Sequence, residues 1–483
     1  MKILVYLAGV IALAALPAAQ SGAKDMLGIE SPTGANQYLT YGGKPLLAFG
    51  PGDESRLISR NDPEAVRRWA KWQKDNGMNL LRAYPTFVPG AMNWKTSPHP
   101  ASVPLEIAFH PFKQKDGKWD VDAWDDDYFA NMSRFFSVLE EHGIMVHLQL
   151  WQIVWFKEDR PERWAQNYVN PANNCNEWTR AYPHGHDYMN APSDSPAGRH
   201  RREWVRRVLD SVKGHGNVWI DVINELENAG IGDLEWSREV VSWIREWEKA
   251  NGQKLLVGVD MCNYRHSDFS RFEKDYDLVI LTELHRDEAL RAIKEFNKPV
   301  VSVRSSDRSN RMEDLLFLNP ESVGPHHQTR YRTLCYRSVF SGLQSIGAYW
   351  KPEVSEADYM DMKDWPAYAR ALRKFWRKIQ PFRSELTVDD SIASEAVTPF
   401  AYGLKSDKLY CAYLECGPQA SGKQYPASTL KLTCPFQAFR VELFDPRTGK
   451  SRLGKGTSAG GEISIQLPEF TDDLVVMVWR ISR

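Results

Sequence analysis

Polar and aromatic side chains close several short apolar runs of this chain. Carboxylates and imidazoles at such positions can transfer protons, and flat aromatic rings can line a pocket and stack on the faces of sugars. Taken singly, each residue has an ordinary structural explanation, because a carboxylate at a rim is usually solvated and a Trp is usually core. The residues are Arg82 and Tyr84, His147, Gln149 and Trp151, Asn224 and Glu225, Glu283 and His285, and Trp350.

The elements that carry these residues give them a shared location. From about Gly42 to Phe382, short apolar runs alternate with amphipathic stretches bounded by Pro and Gly signals. The runs are Pro45–Phe49, Asn79–Tyr84, Gly143–Trp151, Val218–Glu225, Lys254–Asp260, Asp277–His285, Pro299–Arg304 and Ile346–Trp350. Helical stretches between them are Asp62–Asn76, Trp124–His142, Arg199–Lys213, Glu235–Asn251, Asp287–Phe296, Thr329–Phe340 and Tyr359–Ile379. Such strand–helix units predict a (β/α)8 TIM barrel, whose active site lies at the carboxyl ends of the strands.

A doubly wound open sheet is the alternative architecture for this region. No Gly-rich dinucleotide turn and no P-loop follows the early strands, which disfavours the usual cofactors of that fold. HExxH zinc helices and GxSxG nucleophile elbows are also absent from the sequence. We therefore predict a barrel that needs no organic cofactor.

The pattern changes after Pro381. Short alternating runs replace helical periodicity, and turn signals such as Asp445-Pro446 and Gly460-Gly461 separate them. The runs are Ala401–Leu404, Leu409–Leu414, Thr429–Leu432, Phe439–Phe444, Glu462–Leu467 and Asp473–Trp479. This spacing predicts a small antiparallel β-sandwich. The predicted organisation is a signal peptide over 1–23, a barrel over 24–382 and a C-terminal β-sandwich over 383–483.

Charge and composition exclude several classes of partner. The 483 residues include 61 basic and 62 acidic side chains, so the surface lacks the basic excess typical of nucleic-acid binding. The chain starts with Met1-Lys2, an apolar run over Ile3–Leu16 and small residues to Ala23, which is typical of a signal peptide. That run is too short to span a bilayer, so we predict a secreted or periplasmic protein without membrane insertion after signal removal.

The six cysteines do not form a disulfide framework, and none lies in a CxxC pair with metal spacing. Cys411, Cys416 and Cys434 lie close in sequence, so one bridge among them and free buried thiols are both open. The His184-x-His186-Asp187 cluster lacks a third well-spaced ligand set. We predict no metal site.

Several motifs resemble the retaining glycoside hydrolase clan of (β/α)8 barrels, which includes cellulases, β-mannanases and β-galactosidases. They are Arg82 in NLLRAY, Asn224-Glu225 in VWIDVINELEN, His285 closing the sixth run and Trp350 in GAYWKP. The C-terminal stretches FDPRTGK, GGEISIQLPEF and DDLVVMVW are similar to the appended domain of bacterial apiosidase-like enzymes. The resemblance covers the chain from about residue 38 onward.

The resemblance implies a role for each matched residue. Glu225 would be the general acid/base that protonates the departing glycosidic oxygen, Asn224 would contact the 2-hydroxyl of the sugar, and Arg82 would orient the nucleophile. His285 would join the hydrogen-bond shell and Trp350 would form the floor under the sugar. The predicted substrate-binding set is Arg82, His147, Trp151, Asn224, His285 and Trp350.

The seventh run departs from the clan pattern. It reads KPVVSVRSSD, with Arg304 near the position of the expected catalytic carboxylate. Asp307 could reach back from the loop as nucleophile or base, or Glu283 could supply the carboxylate from the neighbouring strand. Otherwise the second carboxylate is absent, and the barrel binds carbohydrate without hydrolysing it or catalyses another reaction.

The segment Trp151–Pro196 is long for a connection, and long loops in compact domains are usually functional. We expect it to wall one side of the cleft and to supply stacking and hydrogen-bonding groups. The sequence therefore predicts an exported glycoside hydrolase that acts on a plant or algal polysaccharide or a derived oligosaccharide. Its candidate catalytic residues are Glu225, Asp307 and Glu283.

Overall fold

The computed structural model describes thirteen parts of the chain. These are residues 25–32, 36–51, 63–85, 109–157, 159, 161–226, 234–261, 266–283, 286–304, 327–348, 365–392, 397–416 and 422–481. The predicted signal peptide lies outside them, so it stays a prediction. No helix in these parts is long and apolar enough to span a membrane.

Strands and helices alternate along the part of the chain before residue 380. The strands are β1 (Leu27–Glu30), β2 (Tyr38–Tyr41), β3 (Lys44–Pro45), β4 (Ala48–Pro51), β5 (Leu80–Ala83), β6 (Phe112–Lys115), β7 (Lys118–Trp124), β8 (Met145–Gln149), β9 (Val218–Asp221), β10 (Leu256–Gly258), β11 (Asp260–Met261), β12 (Val279–Glu283), β13 (Val300–Arg304) and β14 (Ser345–Ala348). The helices are α1 (Pro63–Asp75), α2 (Asp126–Glu141), α3 (Pro161–Trp164), α4 (Gly185–Asn190), α5 (Pro196–Val212), α6 (Leu234–Asn251), α7 (His266–Phe272), α8 (Arg286–Phe296), α9 (His327–Phe340) and α10 (Trp365–Ile379).

The parallel strands form a barrel, as predicted. Hydrogen bonds join β10-β9-β8-β5 into one sheet and β11-β12-β13-β14-β4 into another. β10 and β11 are consecutive segments separated by Val259, and β4 meets β5 where the N–H of Asn79 donates to the carbonyl of Phe49 at 2.8 Å. Each of the eight predicted apolar runs overlaps a strand of this ring, and the run Lys254–Asp260 overlaps both β10 and β11.

Gly50 permits the closure between β4 and β5. A Cβ atom on this residue would lie 2.0 Å from the backbone oxygen of Leu80, which no side chain tolerates. The side chain of Asn79 completes the contact, since its Oδ1 accepts the N–H of Phe49 at 3.0 Å. The contact between β4 and β5 thus depends on Gly50, which has no side chain, and on Asn79, which has a short amide side chain.

The barrel interior is apolar at one end and polar at the other. Because strand side chains alternate between faces, Leu80 precedes Arg82, Met145 precedes His147, and Trp219 precedes Asp221 on the inward face. The apolar layer closes the amino end together with the sheet β1-β2-β3, whose Leu39 packs on it. Buried members of this layer are Leu80, Met145, Trp219, Leu256, Ile280 and Val301. Arg82, His147 and Asp221 therefore lie above the apolar layer, at the carboxyl end.

The C-terminal part is an antiparallel sheet that curls on itself, which confirms the predicted sandwich-like architecture. Its strands are β15 (Thr387–Asp389), β16 (Phe400–Lys405), β17 (Leu409–Glu415), β18 (Gln424–Tyr425), β19 (Ser428–Thr433), β20 (Phe439–Asp445), β21 (Lys450–Ala459), β22 (Glu462–Leu467), β23 (Phe470–Thr471) and β24 (Asp473–Arg480). The main sheet has the order β15-β16-β17-β24-β20-β21-β22-β19. β21 pairs with β20 along its first half and with β22 along its second, so the sheet folds over an apolar core.

Helix α9 is fixed to this sheet by buried ion pairs. The guanidinium of Arg332 donates to both carboxylate oxygens of Asp473, at 2.8–3.1 Å, and the hydroxyl of Tyr413 donates to Asp473 at 3.0 Å. Arg337 also pairs with Glu415, through its Nη2 and one carboxylate oxygen, Oε1. All of these side chains are buried. The apolar residues of α9 and α10 pack with those of β17 and β24 in one cluster around these pairs.

Of the two alternatives for the C-terminal cysteines, a disulfide bridge or free thiols, the structure has free thiols. Cys411 and Cys434 are buried thiols outside any disulfide, so no two of the three C-terminal cysteines are bridged. Burial raises the pKa of the Cys434 thiol, which keeps it protonated and unreactive at neutral pH.

Asp473→Ala should lower the free energy of unfolding by about 3–5 kcal/mol, because the buried charge of Arg332 loses its closer carboxylate and keeps only Asp472, at 3.4 Å. Denaturant unfolding followed by tryptophan fluorescence measures the loss. The matched control is Glu385→Ala, which removes an exposed pair with Lys408 and should cost less than about 1 kcal/mol. Equal losses for the two variants would contradict the assignment.

Candidate active site

A layer of polar side chains occupies the carboxyl end of the barrel. Four strands contribute at the turn above the apolar layer: Arg82 from β5, His147 and Gln149 from β8, Asp221 from β9 and Asp260 from β11, with Asn224 and Glu225 in the turn that follows β9. Glu225 is partly exposed, whereas the other side chains are buried. The layer therefore presents one carboxylate outward and keeps the rest beneath it.

Arg82 is the buried cation of this layer, at 3% exposure. Its Nη2 donates to Oε1 of Gln149 at 2.9 Å and to Oδ1 of Asn224, and it lies 3.8 Å from Oδ2 of Asp260. A buried guanidinium is tolerated only where oxygen atoms replace the lost water. Arg82 thus orients Asn224, the residue that precedes Glu225.

Asp221 is completely buried and accepts three hydrogen bonds. Its Oδ2 accepts from Nε2 of Gln149 at 2.8 Å and from Nε2 of His147 at 2.9 Å, while its Oδ1 accepts the backbone N–H of Asp260 at 3.0 Å. Burial raises the pKa of the Asp221 carboxyl, and the positive charge of Arg82 offsets part of that rise.

Glu225 has an unusual backbone conformation. Its φ is +50°, in the left-handed region that residues with a side chain rarely adopt. Its N–H donates to Oδ2 of Asp260 at 3.4 Å, and the N–H of Asn224 donates to the carbonyl of Trp151 at 3.1 Å. Such backbone strain clusters at functional sites, where the surrounding structure maintains it.

Two further members of the predicted substrate-binding set, Trp151 and His147, are buried like Arg82 and Asn224. Trp151 is fully buried, and its ring centroid lies 5.5 Å from that of Trp236. His147 is 1% exposed and bonded to Asp221. The contacts seen here support and orient the layer, and direct contact of these two residues with substrate stays a prediction.

The remaining predicted site residues fall largely outside the described part of the chain. Asp307, His285 and Trp350 lie outside it, as do the side chains of Glu283 and Arg304. The backbones of Glu283 and Arg304 are register partners in the pairing of β12 with β13. Their proposed roles therefore stay predictions.

The sequence analysis missed Asp221 and Asp260. Both interrupt apolar runs, VWIDVI and LVGVDM, at inward positions near the strand ends. A carboxylate within a buried parallel strand must be paired, and this signal could have identified them. Their partners depend on which strands are neighbours in the barrel.

The long segment after Trp151 is folded on itself. It contains the short helices α3 and α4 and two 3₁₀ turns, Ile153–Trp155 and Glu177–Ala181. Its asparagines donate to backbone carbonyls within the segment: Asn167 to Trp155, Asn170 to Trp164, Asn173 to Ala165 and Asn174 to Tyr168. These amide groups therefore stabilise the segment itself, and its position as a wall of the cleft stays a prediction.

The predicted histidine cluster has internal contacts of its own. His186 pairs with Asp187 at 3.1 Å, and its ring stacks on that of His184 with centroids 5.5 Å apart. The backbone N–H of His184 donates to Asp187 at the start of α4. Among the described residues, no group of three or more His, Cys, Asp or Glu side chains could hold a metal ion.

Comparisons with known proteins give a fold. No protein-family model and no curated protein matches the sequence. A provisionally assigned glycoside hydrolase from Bacteroides vulgatus aligns with a TM-score of 0.61 at 13% identity over 96% of this chain and 84% of its own. A glycoside hydrolase family 5 structure from the same organism aligns with a TM-score of 0.59 at 12% identity over 92% of both chains. The chain has a glycoside hydrolase-like fold.

A third solved structure, a glycoside hydrolase, aligns with a TM-score of 0.57 at 12% identity over 95% of this chain and 97% of its own. These alignments extend through the barrel and the C-terminal sheet, so the likeness includes the two-part architecture. At such identities they establish the fold alone, and the activity has to be argued from the site.

Replacing Glu225 by Gly should give a more stable protein than replacing it by Ala, by about 0.5–1 kcal/mol, because only Gly adopts a φ of +50° without strain. Denaturant unfolding of the two variants measures the difference, and both lack the carboxylate. At Glu246, inside α6, the order should reverse, since Gly destabilises a helix interior relative to Ala by about 1 kcal/mol. The same order at both positions would contradict the strained conformation of Glu225.

Proposed function

We propose that this protein is an exported glycoside hydrolase that cleaves O-glycosidic bonds in a plant or algal polysaccharide or in an oligosaccharide derived from it. Glu225 is the proton donor. The single observation that carries the proposal is the setting of Glu225: a partly exposed carboxylate on a left-handed backbone, directly after β9 at the carboxyl end of the barrel. A barrel of this type binds and transforms its substrate at that end.

The neighbours of Glu225 fit the role of a general acid. Asn224, held by Arg82, stands next to it and would donate a hydrogen bond to the sugar's 2-hydroxyl. Beneath them the polar side chains bond to one another, so they stay in place as charge develops on the substrate. Glu225 protonates the glycosidic oxygen as the bond to the anomeric carbon breaks.

Hydrolysis needs a second carboxylate on the other side of the scissile bond. Asp307 is the first candidate, as nucleophile or as the base that activates water, and Glu283 is the second. Carboxyl groups about 5–5.5 Å apart would give retention, and about 6.5–9.5 Å would give inversion. His285 and Trp350 complete the proposed subsite from the neighbouring strands.

The amino-terminal sequence supports the proposed export. Met1-Lys2, the apolar run Ile3–Leu16 and the small residues to Ala23 match a signal peptide. A secreted or periplasmic location places the enzyme where polymeric carbohydrate is available.

A carbohydrate-binding barrel without hydrolysis is the second candidate. One observation favours it: Arg304, a cation, occupies the strand where the clan's carboxylate is expected, in register with Glu283 on β12. An ion pair between the two would neutralise Glu283 and leave Glu225 without a second carboxylate.

Glu225→Gln should lower sugar release by at least about 100-fold on substrates whose leaving group needs a proton. Purified parent and variant are incubated with a panel of plant and algal polysaccharides and their oligosaccharides, and reducing ends are measured. Sugar binding, followed by calorimetry, should persist in the variant. Glu246→Gln, on the exposed face of α6, is the matched control and should match the parent. Activity of Glu225→Gln within a few-fold of the parent would refute the proposal, and binding without release in the parent would favour the second candidate.

A further inference from the structure

Asp260 lies under the backbone of Glu225 and is fully buried. Its Oδ2 accepts the N–H of Glu225 at 3.4 Å and lies 3.8 Å from Nη2 of Arg82. One carboxylate oxygen therefore faces both the residue with the left-handed backbone and the buried cation. No predicted site residue had been assigned to this strand.

The strand that carries Asp260 is broken where this contact forms. β10 pairs with β9 up to Gly258, whereas β11 pairs with β12 from Asp260 onward. The backbone N–H of Asp260 leaves the ladder of β9 and donates to the side chain of Asp221 at 3.0 Å. This break between neighbouring strands gives the Asp260 carboxylate its place beside the turn after β9.

The carboxylate of Asp260 supplies a negative charge that a neutral hydrogen-bond acceptor would lack. Its contact with Glu225 is long for a hydrogen bond, and a charged acceptor makes a stronger bond than a neutral one does. That charge also attracts Arg82, which fixes Asn224 through its Oδ1. Asp260 thus acts on both residues of the Asn224-Glu225 pair from below.

We propose that Asp260 is a positioning residue for the general acid. It holds the backbone of Glu225 in its left-handed conformation and so sets the point from which the acid's side chain reaches the glycosidic oxygen. The inference rests on the proposed function of Glu225. Asp260 acts through Glu225 and Arg82, the two residues that its Oδ2 contacts.

The experiment separates this role from a general loss of structure by varying the leaving group. Phenyl glycosides need a proton on the departing oxygen, whereas 2,4-dinitrophenyl glycosides depart without one. Matched pairs of these glycosides, made with the pyranoses and furanoses of plant cell walls, are the probes. For each pair, kcat/KM is measured for the parent, Glu225→Gln, Asp260→Ala, Asp260→Asn and Asp277→Ala.

Asp277→Ala is the matched control. Asp277 also accepts a backbone N–H, from Val257 at 2.9 Å, and also pairs with an arginine, Arg245 at 2.7 Å, but at the amino end of the barrel. Its loss removes a comparable set of contacts far from Glu225. Asp277→Ala should lower kcat/KM by the same factor for phenyl and dinitrophenyl glycosides, or should leave both values unchanged.

Asp260→Ala should lower kcat/KM about 10–100-fold on phenyl glycosides and less than about 3-fold on dinitrophenyl glycosides, since a misplaced acid matters only where a proton is needed. Asp260→Asn keeps an acceptor without the charge and should fall between parent and Asp260→Ala. Equal effects of Asp260→Ala on both leaving groups would overturn the inference. If Glu225→Gln itself shows no leaving-group dependence, the proposed function fails instead.

Crystal structures of the parent and of both Asp260 variants give a second readout that needs no turnover. The inference predicts that φ of Glu225 is positive in the parent and changes, or that its backbone moves, in Asp260→Ala. An unchanged Glu225 backbone in a folded Asp260→Ala would overturn the inference even if no glycoside in the panel is cleaved. Asp260→Asn serves the same purpose if the alanine variant does not fold.

Discussion

The positive charge of Arg82 is buried at the carboxyl end of the barrel, and the polar layer is arranged around it. Removing a guanidinium from water costs several kcal/mol unless oxygen atoms take the place of the lost solvent. Gln149, Asn224 and Asp260 supply those oxygens from three different strands or turns. Gln149 and Asp260 in turn bond to Asp221, and Asp221 bonds to His147. Each of these side chains is hydrogen-bonded or ion-paired to another member of the layer, so displacing one of them would break its contacts with the next.

The apolar layer beneath makes this network possible. Leu80, Met145 and Trp219 fill the barrel two residues before Arg82, His147 and Asp221 on the same strands. They keep water out from below, which strengthens every electrostatic contact above them. Glu225 stands at the upper edge of this arrangement, where the buried network meets the opening of the barrel.

Much of the architecture could be predicted from periodicity, whereas most of the hydrogen bonds and ion pairs of the site could not. The eight apolar runs and the C-terminal alternation are local signals, so they identified strands and fold class. The contacts of Asp221 and Asp260 depend on the pairing of strands distant in sequence and on the break at Val259, which no local pattern encodes. The hairpin of β6 and β7 was not predicted, although its turn residues, Asp116 and Gly117, are a pair typical of two-residue loops. Both residues have the positive φ that such a turn requires. The segment after Trp151 was expected to supply hydrogen-bonding groups to the cleft, and the amides of its Asn173 and Asn174 bond to carbonyls within the segment.

The ion pairs between α9 and the C-terminal sheet bear on how this architecture can be recombined. Arg332 and Arg337 belong to a barrel helix, yet their carboxylate partners, Asp473 and Glu415, belong to the sheet. A chimera cut at the predicted boundary near residue 382 would separate each buried arginine from its acid. Exchange with another protein would have to carry α9 along with the sheet, from His327 onward, or replace both arginines by apolar residues. The part of this fold that can be exchanged intact is therefore the C-terminal sheet together with α9.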